Sequence, residues 1–218
     1  MKKRKNIITV AIDSPAAAGA GTQAKMISKA YNLIYLDTGK IYRYVGNLKL
    51  IYGANFNYQL VKKKINKINI KDLNNKKLLA DKVALSASII AKDNKIRNLV
   101  KKFQLNIAYN PPIKFAGSVL DGRDITSVIM KDAMFKFFIT ADLKTRAKRR
   151  YLEYKKLKNK ISFKEVLKNL EKRDYLDKNR KNSPLIRTKD SFLINTSKLS
   201  KKASFYKIKA IMDKKIRN

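Results

Sequence analysis

Neither cysteine nor histidine occurs in the 218 residues, and tryptophan is missing as well. Those gaps exclude disulfide frameworks, thiol nucleophiles, imidazole bases and ordinary zinc sites together. Any chemistry therefore falls to carboxylates, hydroxyls, cations and backbone amides. Acidic residues are scarce, 16 against 52 Lys+Arg, which leaves a formal charge of +36. Such a charge draws polyanions through counterion release without specifying one. Lysine is scattered along the whole chain among Asn and Ile, and no aromatic-interleaved basic motif of an RNA-binding module is present. Non-specific polyanion binding is the expectation from charge alone. Long apolar runs are lacking too, so no membrane span is expected. The opening MKKRKNIITVAID is basic, but its apolar run is short and Asp13 closes it, which reads against a secretory signal and for a cytoplasmic protein.

With 44% hydrophobic residues, this length buries one sizeable core, so a single domain over 1–218 is expected. Apolar or β-branched runs at residues 7–12, 33–36, 134–140 and in SFLIN, with another before Asp121, read as strands. Helical spacing follows most of them, from about Gly21 to Asn32, from Thr38 to about Gly53, through Asp81–Ala108 until the prolines at 111–112, and over the C-terminal SKKASFYKIKAIMDKKI. ADLKTRAKRRYLEYKKL and FKEVLKNLEKRDYLDKNR read as two charged helices joined near Asn159. The Asn/Lys-rich stretch 55–81 is weakly patterned and reads as a peripheral lobe or loop. Alternating strands and helices point to an α/β core with a parallel sheet.

Chemistry concentrates first in SPAAAGAGT, Ser14–Thr22, between a strand and a helix. A phosphate-gripping loop uses small residues so that consecutive backbone N–H groups turn inward at a helix N-terminus, with a lysine for the outer phosphates and a hydroxyl for magnesium. Gly19, Gly21 and Thr22 suit the second half of that pattern. Ser14 replaces its first glycine, and Ala20 occupies the lysine position. Taken alone, an ordinary small-residue strand-to-helix turn explains the stretch equally well.

Four further segments follow in order: LDTGKIYR (36–43), VLDGRDITSVI (119–129), ITADLKTRAKRR (139–150) and KRDYLDKNRKNSPL (172–185). With the loop, in this order and at this spacing, the chain resembles the bacterial cytidylate kinases from about Ile7 to Lys215. The resemblance implies a P-loop nucleoside monophosphate kinase fold, a parallel sheet flanked by helices, with a reduced acceptor-binding insert at about 54–80 and a helical lid at about 146–180. It implies transfer of the terminal phosphoryl group of ATP to CMP or dCMP with Mg2+, by a monomer.

The same resemblance assigns residues. Ser14, Pro15, Ala16, Ala17, Ala18, Gly19, Ala20, Gly21 and Thr22 would bind ATP, helped by Arg149 and Arg150. Thr22 and Asp121 would serve the metal. Thr38, Arg43, Ser88, Arg97, Arg123, Asp124, Asp177 and Arg180 would face the acceptor, with Asp124 at the cytosine amino group. Arg123, Arg180, Arg146 and Arg173 would act on the transferring phosphoryl. Guanidinium forks suit phosphate because paired donors match its oxygens. Phosphoryl transfer needs alignment and charge cancellation more than covalent help, so a chain without histidine can perform it. The missing loop lysine leaves three readings: a slow kinase, a kinase in which Lys25 or a lid arginine supplies the charge, or a nucleotide-binding protein without turnover. Lys25, one turn past the loop hydroxyl, is expected to point away from the loop. A basic nucleic-acid-binding protein on a kinase scaffold is the reading from a different class.

Overall fold

Alternation along the first strand explains the layering. In the computed structural model, which describes residue 4, residues 6–158 and residues 160–217, β1 (Ile8–Asp13) occupies the middle of a five-stranded parallel sheet. Val10 and Ile12 point to one face and Ala11 to the other, as the two-residue period of a strand requires, and all three are fully buried. A central parallel strand with both faces covered has to be apolar throughout, which is what the run IITVAI supplies.

The strand order is β2-β3-β1-β4-β5, with β2 at Leu33–Asp37, β3 at Gly117–Gly122, β4 at Phe135–Thr140 and β5 at Phe192–Asn195. β1 pairs with β3 from Ile8↔Gly117 to Asp13↔Gly122, so Asp13, Asp121 and Gly122 reach the same carboxyl edge of the sheet. Open α/β sheets place ligands at that edge, where the strand order reverses. One face is covered by α1 (Ala20–Ala30) and α8 (Lys201–Arg217), which pack Ala24, Ile27, Ile208 and Met212 against Phe135, Phe137 and Ile139. The other face carries α2 (Thr38–Tyr52), α3 (Tyr58–Asn66), α4 (Asp81–Ile90) and α5 (Asn94–Tyr109). Ile41, Val45, Val61, Val100 and Ala108 from these helices close over Leu36 and Leu120. The stretch 55–81 is more regular than its sequence pattern suggests: α3 and two short 3-10 turns pack Val61, Ile65 and Leu73 inward, with Asn57 capping α3 through the Leu60 N–H.

α6 (Leu143–Lys156) and α7 (Phe163–Asn179) form a helical pair with its own small core, Ala147, Val166 and Leu170, which closes on Ala16 of the small-residue loop. α7 begins with a capping box, Ser162 and Glu165 satisfying each other's backbone groups. The expected helix junction at Asn159 lies outside the described residues. Among the described residues, no helix is long and apolar enough to cross a membrane. Exposed lysines occur on α2 (Lys49), α3 (Lys62), α5 (Lys95), α6 (Lys155), α7 (Lys172) and α8 (Lys214), so the positive charge is not gathered on one face.

Candidate active site

Between β1 and α1 the chain makes a turn whose backbone is that of a glycine-rich loop although few glycines remain. Gly19, immediately before α1, has φ 94°, and Ala17 sits at φ 61°. Glycine adopts such angles freely; alanine pays about 1–2 kcal/mol to do so. The loop therefore keeps its shape at a cost. Around it, the main-chain N–H groups from Ala16 through Thr22 donate to no protein acceptor among the described residues, while the carbonyls are held from outside. Arg146 donates to the Ala16 carbonyl at 3.2 Å, and the Thr196 hydroxyl to the Ala18 carbonyl at 2.9 Å. Amides turned inward at a helix N-terminus, with carbonyls turned out, make an anion-binding hollow.

Ala20 lends this hollow no charge; its methyl is 4% exposed and joins the core under α1. The nearest acidic group is Asp121 at the end of β3. Its Oδ2 lies 3.6 Å from where a Cβ on Gly21 would stand, and its Oδ1 accepts a hydrogen bond from Tyr35 at 2.9 Å. Enclosure and the neighbouring Asp37 push the Asp121 carboxyl up to about 7, partly offset by Tyr35, Arg123 and Lys25. Lys25, exposed one turn further along α1, adds the smallest of these influences. Asp121, with Asp37 as its acidic neighbour and the half-buried Thr22 next after Gly21 in the chain, offers oxygen ligands of the kind a hard dication takes. Among the described residues no cluster of three or more acidic groups forms a ready cage, which fits an ion held largely by phosphate oxygens.

Around Arg123, whose charge acts on Asp121, side chains from four elements meet. Arg97 of α5 donates to Asp124 at 3.1 Å; Arg123 of the turn after β3 donates to Asp177 of α7 at 2.7 Å; Arg180, just past α7, has Nη2 3.9 Å from Asp124. That Nη2 is enclosed and has no hydrogen-bond acceptor. Arg43 of α2 donates to the Leu78 carbonyl at 2.9 Å. Arg173 makes no hydrogen bond or ion pair among the described residues. Loss of hydration around the guanidinium, together with the charges of Arg123, Arg150 and Arg43 and against the attraction of Asp177, pushes it down to about 10, although the residue as a whole is exposed. Close by is a cavity of about 420 Å³ whose lining includes Tyr42, Arg97, Gln104, Asp124 and Asn182. It offers acid, amide and guanidinium groups, the donors and acceptors a nucleobase edge requires.

Not every residue expected in the site lies in it. Arg146 is 5% exposed and spends its donors on the Ala141 and Ala16 carbonyls and, bidentate, on Asp174 of α7. It is a strut between lid and loop. Arg149 does stand at the loop, its Nη1 3.4 Å from the Ala18 carbonyl and 3.9 Å from where a Cβ on Gly19 would stand, while its Nη2 donates to the Thr196 carbonyl at 2.7 Å; Arg150 pairs with Glu153 at 3.0 Å. Thr38 is 5% exposed, and its hydroxyl donates to the Asp121 carbonyl at 2.8 Å, behind the crevice. That contact requires glycine at 122, where a Cβ would come within 2.5 Å of the same hydroxyl. Ser88 is exposed on α4, donates back to the Leu85 carbonyl and does not line the cavity. Sequence reasoning missed Tyr35, Asp174 and Asp13. Asp13 accepts three hydrogen bonds, from the Ile125 and Thr126 amides and the Thr126 hydroxyl. Burial pushes its carboxyl up to about 6 in spite of them. A carboxylate ending an otherwise apolar central strand was the available signal.

Loop amides open near Asp121, and a cavity lined by Arg97 and Asp124 beside the arginine cluster, invite comparison with known proteins. Residues 10–214 fit the family model described as cytidylate kinase. The chain belongs to that family. It is 38% identical to a cytidylate kinase of Clostridium botulinum, the match covering 95% of this chain and 98% of the relative. It is 35% identical to one of Clostridium tetani, covering 95% and 91%. Among solved structures, an uncharacterized protein from Eubacterium ventriosum superposes with a TM-score of 0.56 at 17% identity, covering 94% of this chain and 98% of the other, which speaks to the fold alone. Membership makes the chain a nucleoside monophosphate kinase by type, and the parallel sheet with flanking helices is the architecture expected of one.

Proposed function

We propose that this kinase transfers the terminal phosphoryl group of ATP to CMP or dCMP, with Mg2+, at a rate reduced by the alanine at position 20. What supports the reading is a pair of anion-binding groups around Asp121: the loop amides from Ala16 through Thr22, without a protein acceptor among the described residues, and Arg123, whose charge acts on Asp121, with Arg43, Arg173 and Arg180 near it. The loop amides would grip the donor's outer phosphates. Arg123 and Arg180 would hold the acceptor phosphate in line, and the Arg97–Asp124 pair would present an acceptor and donors to the base. Asp121 and Thr22 would hold magnesium, which when bound neutralises charge between the donor phosphates. Arg173, with no hydrogen bond or ion pair among the described residues, would meet the charge that spreads onto the equatorial oxygens during transfer. The α6–α7 pair would exclude water over these groups.

A coupled assay of ADP formation tests this. Turnover with CMP and dCMP exceeding that with UMP and AMP is the expected result. Absence of turnover with every acceptor, while ATP and CMP still bind by calorimetry, would reduce the reading to nucleotide binding; absence of CMP binding would overturn it. The scatter of lysines over six helices supports this reading over a dedicated nucleic-acid surface.

A further inference from the structure

Asp13 stands at the last position of β1, fully buried, one residue before the phosphate loop. Its Oδ1 accepts the Ile125 N–H at 2.7 Å, and its Oδ2 accepts the Thr126 N–H at 2.9 Å and the Thr126 hydroxyl at 2.5 Å. A second link runs beside it: the Ser14 N–H donates to the Gly122 carbonyl at 3.1 Å. Residues 122–126 are thus fastened to the loop's entrance at both ends. Between the fastenings stand Arg123 and Asp124, and these carry the acceptor-side contacts with Asp177, Arg97 and Arg180. A buried carboxylate with its lone pairs committed to two successive amides and a hydroxyl fixes the path of a turn, here the single π-helical turn Ile125–Ile129. Residues 122–129 have no other side-chain hydrogen bond to β1 among the described residues.

We propose that Asp13 is a positioning residue which, through Thr126, holds Arg123 and Asp124 in register with the phosphate loop and so sets acceptor affinity. It touches neither nucleotide. Its position makes the donor loop and the acceptor turn one rigid unit, so that a phosphate gripped by the loop and one gripped by Arg123 keep a fixed separation. This inference rests on the acceptor reading given above.

Asp13→Asn would place an amide donor against an N–H or the Thr126 hydroxyl, leaving buried donors facing each other. Thr126→Val deletes one contact at nearly constant volume, and Thr126→Ser retains it. Calorimetry on the full chain, with CMP and separately with a non-hydrolysable ATP analogue, reads the outcome. Asp13→Asn is expected to weaken CMP binding about tenfold or more and Thr126→Val about threefold, with Thr126→Ser within twofold of wild type and the analogue within twofold throughout. If Asp13→Asn fails to fold, the Thr126 pair decides by itself. Unchanged CMP affinity in the folded variants, or equal weakening of CMP and analogue, overturns the strap alone. A wild-type chain that binds the analogue but no CMP overturns the acceptor reading and the strap with it.

Discussion

Ala20→Lys raises kcat at least tenfold, and up to the 10² to 10³ that one preorganised charge donor commonly contributes, about 3–4 kcal/mol. The expectation follows from what the loop has kept. Its amides from Ala16 through Thr22 meet no protein acceptor among the described residues, Gly19 and Ala17 hold the left-handed backbone, and Arg146 and Thr196 fasten its carbonyls, so the lysine charge is the part of the pattern that Ala20 leaves out. Charge, and not bulk, should produce the gain. The methyl of Ala20 is packed in the core, so Ala20→Met controls for length and is expected to give no increase. Steady-state kinetics with CMP check both. An Ala20→Lys enzyme no faster than wild type would mean that the cation is already supplied. Lys25, whose charge acts on Asp121, is the group to substitute next.

Arg173→Met is expected to lower kcat by about 10² to 10³ without lowering the thermal midpoint of the free protein. This guanidinium makes no hydrogen bond or ion pair among the described residues, and the like charges of Arg123, Arg150 and Arg43 act on it against the attraction of Asp177, so removing it costs the fold little. Function alone explains such a cation, and the loss should fall on catalysis. Arg146→Met provides the contrast. It strands the Asp174 carboxylate and the Ala16 carbonyl, and breaking one side of an enclosed pair costs about 3–5 kcal/mol. Calorimetric melting with kinetics separates the two. A lowered midpoint for Arg173→Met with kcat intact would reverse the roles given to these two arginines.

How much of this was legible beforehand varied with the physics of each residue. The sheet was readable because its central strand, IITVAI, is buried on both faces and so nearly continuous in apolar character, while β4 alternates buried and half-buried positions with the period of a strand. α3 was not, because only Val61 and Ile65 pack inward from a helix otherwise covered in lysine and asparagine. Arg123, Asp124, Asp177 and Arg180 could be grouped from family motifs, and they do meet in space. Motifs cannot tell an arginine that spends its donors on protein from one that keeps them free. Arg146 and Arg173 look alike in sequence and differ because Asp174 and the Ala16 carbonyl happen to lie within reach of the first. Ser88 shows the same limit, since its hydroxyl is satisfied by its own helix. Asp13 and Tyr35 escaped notice because their partners, Thr126 and Asp121, are remote in sequence and adjacent only through the sheet register.

Calorimetric titration with a bisubstrate compound, cytidine and adenosine joined by a polyphosphate bridge, tests the pairing of the two anion-binding groups most directly. The predicted result is one molecule bound per chain, at least 10² tighter than either CMP or the ATP analogue alone, and displaced by each of them. Binding no tighter than the ATP analogue, or displacement by only one of the two nucleotides, would contradict it.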